Sequence, residues 1–127
     1  MSIEDKVSRW SNHDVDITSW GKLVWQVSAD RKNSENLTVG ICYIDPGKAN
    51  GRHYHPNCEE VLTVVRGRIV HTWENEEIEM QQGDSITVPP GIVHNARNIG
   101  DEVAELGICF SSAYRDTVSM ETGGEVA

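Results

Sequence analysis

The chain has 127 residues, with 20 acidic and 11 basic side chains and a formal net charge of −9. That length supports one hydrophobic core and not two, and the composition is that of one small soluble domain. No run approaches the roughly 18 apolar residues of a membrane helix. The acidic balance argues against nucleic acid and anionic membranes as partners, because phosphate binding needs a cationic surface.

In chain order, residues 1–20 are mixed and polar, and are expected to form an N-terminal arm. A short helix over 3–10 is the one helical signal. The start, Met1-Ser2-Ile3-Glu4-Asp5-Lys6, has no apolar run of the kind a leader needs. Residues 21–115 read as the body. Strands are predicted over 23–27, 37–44, 61–65, Arg68–Trp73, Ser85–Val88, 92–97 and 103–110. Asp45-Pro46-Gly47, Gln82-Gly83-Asp84 and Pro89-Pro90-Gly91 are turns, since Pro presets φ and Gly admits positive φ. Residues 74–77 read as an acidic turn. Residues 116–127 read as a polar C-terminal tail. Many short strands with frequent turns predict an all-β sandwich or barrel. Three cysteines, Cys42, Cys58 and Cys109, are an odd number in a chain without an export signal, and read as reduced thiols in a cytoplasmic protein.

The chemistry concentrates in four residues. His53 and His55 flank Tyr54, and alternation on an extended chain sends both imidazoles to one face. Glu60 opens the 61–65 strand and adds an anionic oxygen. His94 follows the Pro-Pro-Gly turn. Three imidazoles and a carboxylate suit one divalent transition metal (Mn, Fe, Ni, Cu or Zn) and suit Ca or Mg poorly. Four protein ligands on an octahedral ion leave two open positions for a substrate or water.

The run Gly47-(five)-His53-Tyr54-His55-(four)-Glu60-(six)-Gly67 resembles the first signature motif of the cupin superfamily. The run Gly83-(five)-Pro89-Pro90-Gly91-(two)-His94-(three)-Asn98 resembles the second. Fifteen residues separate them, as in small single-domain cupins. The resemblance implies a single jelly-roll β-barrel with the metal inside, held by His53, His55, Glu60 and His94. It makes Gly67, Gly83 and Gly91 turn glycines and Asn98 structural. Glu59 competes with Glu60, and the spacing to Gly67 favours Glu60. The wording His55-Pro56-Asn57-Cys58-Glu59-Glu60 is similar to germins and oxalate-acting cupins. Manganese or iron is therefore favoured.

Other residues divide between readings. His71 and Trp73 share a strand face and either line the pocket or face solvent or a partner subunit. Cys42 and Cys109 are expected in the core. Trp10, Trp20 and Trp25 pack on the body or on a partner. If Glu60, Leu62 and Val64 point inward, Val61, Thr63 and Val65 form a second, largely apolar face that needs cover. That predicts a homodimer. The expected function is a metal-dependent enzyme acting on a small oxygenated metabolite such as a sugar, hydroxy acid or other carboxylate. The alternative is a non-catalytic cupin module that binds a metal or small ligand.

Overall fold

The computed structural model describes residues 2–120. Two 3-10 turns, Ile3–Lys6 and Trp10–Asn12, stand where a short helix was expected, and neither buries a side chain. Eleven strands follow among the described residues. They are β1 (Asp14–Ile17), β2 (Gly21–Val27), β3 (Thr38–Ile44), β4 (His53–Tyr54), β5 (Glu60–Arg66) and β6 (Arg68–Trp73), then β7 (Glu76–Gln81), β8 (Ser85–Val88), β9 (His94–Asn98), β10 (Ala104–Phe110) and β11 (Val118–Ser119). They form two antiparallel sheets, ordered β1-β2-β3-β10-β5-β8 and β11-β4-β9-β6-β7. This is the all-β jelly-roll arrangement. The two sheets are not hydrogen-bonded into one closed ring.

Alternation fixes which face is buried. In β3 and β10 every second residue is buried, and in β5 Glu60, Leu62 and Val64 are buried together. Phe110 lies opposite both Thr38 of β3 and Glu60 of β5. Glu60 therefore sits at one end of a wall whose other inward residues are apolar apart from Thr38. The core includes Ile44, Leu62, Val64, Ile69, Leu106 and Phe110, each at most 4% exposed. Burying one such side chain contributes about 1.5–3 kcal/mol.

The turn glycines Gly67, Gly83 and Gly91 have φ of 95°, 96° and 85°, a region that disfavours other residues. Asn98 is structural in detail. Its side-chain amide donates to the carbonyls of Ile44 and Glu102, both at 2.8 Å. Its oxygen accepts the Gly100 N–H at 2.8 Å.

Several boundaries differ from the sequence reading. The acidic turn shrinks to Glu74-Asn75, and Glu76 and Glu77 belong to β7. β7 is a sheet edge with only Met80 buried, and Ile78, two residues before it, is 58% exposed. β1 lies within the expected arm and pairs with β2. Arg31 fastens it, with an ion pair to Asp14 at 3.2 Å and a bond to the Asn12 carbonyl at 2.8 Å. β11 lies within the expected tail and pairs with β4. The remainder of that tail, 121–127, lies outside the described residues. Trp20 is core, Trp25 is half-buried and Trp10 is exposed. Cys42 is buried as expected. Cys109 is half-buried, because it falls out of phase with Ile108 and Phe110 and faces the outer side of β10.

Candidate metal centre

Sheet register assembles the four residues. His53 of β4 pairs with His94 of β9. His55 follows β4, and its carbonyl accepts the Gly91 N–H at 3.0 Å, fastening the turn that leads to His94. Glu60 opens β5 from the opposite sheet. Glu59 is exposed and Glu60 is buried, so Glu60 is the inward carboxylate. One donor atom from each of His53, His55, Glu60 and His94 lies within 4.8 Å of all the others.

These atoms lack partners. Glu60 Oε1 is 3.3 Å from His55 Nε2 and 3.4 Å from His94 Nε2. None of the three makes a hydrogen bond. An unsatisfied buried polar group costs about 1–3 kcal/mol, so three of them facing one point call for a cation. The imidazole and carboxylate donors fit a divalent transition-metal ion, and this cluster can hold one.

The opposite ring nitrogens are already oriented. His53 Nδ1 is 2.7 Å from the Gly51 carbonyl, and His55 Nδ1 is 2.9 Å from the Asp116 carbonyl. A carbonyl only accepts, so each Nδ1 donates and each Nε2 keeps its lone pair. His94 Nδ1 is 3.3 Å from Nε2 of His71. If His94 donates there too, all three Nε2 atoms are free to bind an ion.

Burial pushes the pKa of His53 down to about 4, against the pull of the Gly51 carbonyl. Burial likewise lowers His94 to about 3, against the attraction of Glu60. Burial alone would raise the Glu60 carboxyl. The surrounding imidazoles, His55 first, outweigh it and hold the group below its usual range. Neutral rings around one carboxylate are the protonation state a metal needs.

His71 is fully buried, where sequence alternation left it undecided between pocket and solvent. Its pairing with Ala96 of β9, alongside Ile69 and Asn98, puts it on the inner face. Trp73 is half-buried. His71, Cys42, Leu62 and Ile108 line a void of about 10 Å³ beside the cluster. That is room for roughly one water.

A family model described as "Cupin domain" matches residues 40–111, more than half of the chain. The chain belongs to the cupin family. It is 32% identical over 68 residues to polyketide synthase CurC of Streptomyces cyaneus, covering 54% of this chain and 44% of that protein. It is 34% identical over 91 residues to germin-like protein subfamily 2 member 1 of Arabidopsis thaliana, covering 66% of this chain and 42% of that one. The chain thus spans less than half the length of either relative. Oxalate decarboxylase of Lactobacillus farciminis, solved as a formate complex, superposes with a TM-score of 0.81 at 22% identity. That match covers 87% of this chain and 34% of that one, and it shows the fold alone.

Proposed function

We propose that His53, His55, Glu60 and His94 ligate one divalent transition metal ion, with manganese or iron favoured. We further propose a metal-dependent enzyme acting on a small oxygenated metabolite such as a sugar, hydroxy acid or other carboxylate. The observation that carries this reading is the convergence of unpartnered Glu60, His55 and His94 atoms in a buried space. A bound ion would act as a Lewis acid toward substrate oxygens. The chain's own contribution is orientation and exclusion of water. Gly51 and Asp116 hold two rings by their carbonyls, and the apolar side chains of Leu62, Leu106 and Ile108 help confine the space to about 10 Å³.

The test is elemental analysis by inductively coupled plasma mass spectrometry. Near-stoichiometric metal in the wild type, lost in His55→Ala and His94→Ala with the β-rich circular dichroism retained, is the expected result. Unchanged stoichiometry in both variants removes the four-ligand reading. The small void favours a second reading, a non-catalytic metal-binding module, because a metabolite larger than water needs the site to open. Water-proton relaxation of the manganese form separates the two, since an enzyme needs an exchangeable coordinated water.

The remaining assignments are proposals of the same kind. The three free thiols support a cytoplasmic location. The exposed outer face of β5, with Val61 37% and Val65 48% exposed, supports a homodimer. Residues 1–20 and 116–127 act as arm and tail around a 21–115 body.

A further inference from the structure

Arg115 follows β10 and is half-buried. Its guanidinium lies 4.1 Å from the Trp25 ring and 5.3 Å from that of Phe110. Phe110 in turn packs edge-on against His55 at 4.9 Å. Arg115 is therefore one aromatic ring removed from the ligand cluster. Its charge acts on Glu60, His53 and Cys58.

The donors of this cation are unused. Nε is buried without a hydrogen bond. No carboxylate comes within ion-pair distance of it among the described residues. Arginine's planar fork matches a carboxylate with two parallel bonds, and leaving it desolvated and unpaired is costly. Stacking on Trp25 offsets part of that cost and also fixes the plane of the fork.

Arg115 lines a cleft of about 730 Å³, together with Thr38, Tyr114 and three carboxylates, Asp14, Asp16 and Asp30, of which Asp16 attracts the guanidinium from beyond ion-pair distance. It is the one basic side chain in that lining among the described residues. Asp14 is engaged by Arg31 at 3.2 Å, and Asp16 accepts the Trp25 indole N–H at 3.0 Å. These acidic groups on the lining repel any anion, and repel a nucleotide or polyphosphate more than a small acid because it carries more charge. A small acid with one or two carboxylates meets a single, unpaired, preoriented partner.

We propose that Arg115 is the carboxylate anchor of a ligand site in this cleft, and that the site takes a small mono- or dicarboxylate. None of the four metal-centre residues lines this cleft, so the anchor goes beyond the metal-centred reading and does not depend on it.

The experiment follows the Trp25 indole N–H resonance during titration with malonate, and with neutral malonamide, at constant ionic strength. It uses metal-free and metal-loaded protein, with metal content measured in parallel. Saturable binding of malonate and not of malonamide is expected in both forms. Arg115→Gln should weaken it at least about tenfold, and Arg115→Lys less, because charge survives but the fork does not. A malonate titration that leaves Trp25 unmoved, or an affinity within about twofold of wild type in Arg115→Gln, overturns the anchor. Arginine-dependent malonate binding in a protein that takes up no metal keeps the anchor and removes the metal centre.

Discussion

His71 touches the candidate centre only through another residue, His94, which makes it a positioning residue. Losing such a partner typically lowers metal affinity about 10–100-fold. Chelator-competition titration of His71→Ala should show that loss, and His71→Gln, which can still accept from His94 Nδ1, should recover part of it. Equal affinity in all three proteins contradicts the role. A second prediction concerns acid. Burial holds His53 and His94 far below the usual imidazole range in the folded protein. The unfolded chain therefore takes up protons first as pH falls. Metal-free protein should hold this stability above about pH 6.5 and lose it progressively toward about pH 4. Urea midpoints across that range check the sign, and a midpoint that rises on acidification contradicts it. The clustering of His53, His55, Glu60 and His94 was legible because it follows from strand alternation and from motif spacings that resemble those of cupins. His71 was not, because alternation pairs residues on a face without saying which face is inward. Arg115 sits in a segment with no periodicity, and only tertiary packing brings it to Trp25.

At the scale of single elements, β2 and β3 approach closely at Gly40. A Cβ on Gly40 would stand 2.6 Å from the Trp25 ring and 2.7 Å from the Val24 carbonyl. Gly40→Ala should destabilise the protein by about 1–3 kcal/mol, as other overpacked sites do. Asn98→Ala should cost about 2 kcal/mol or more, since it strips partners from the Ile44 and Glu102 carbonyls and the Gly100 N–H. Chemical denaturation of each variant measures both losses. β3, β5, β6, β8 and β10 were readable from β-branched or apolar runs closed by Gly and Pro turns. β1, β7 and β11 were not, because edge strands carry mostly exposed residues and owe their shape to a neighbour's hydrogen bonds.

At the scale of the whole molecule, the outer face of the six-stranded sheet is the part that lacks cover. Val61→Glu with Val65→Glu should convert a dimer to a monomer by light scattering and leave metal content unchanged. A wild type that is monomeric at micromolar concentration refutes the interface. The charge of −9 per chain opposes association, so dimerisation should strengthen with salt. The carbonyl of Asp116 that orients His55 lies 61 residues downstream of it. Seen in time, the ring that this contact sets is fixed only once the chain has closed on itself. An unfolded chain keeps His53 and His55 as near neighbours but leaves Glu60 and His94 without a common aim. On the proposed metal reading, ion capture should follow folding, and stopped-flow refolding should show an uptake rate that is governed by chain closure and stays flat as metal concentration rises.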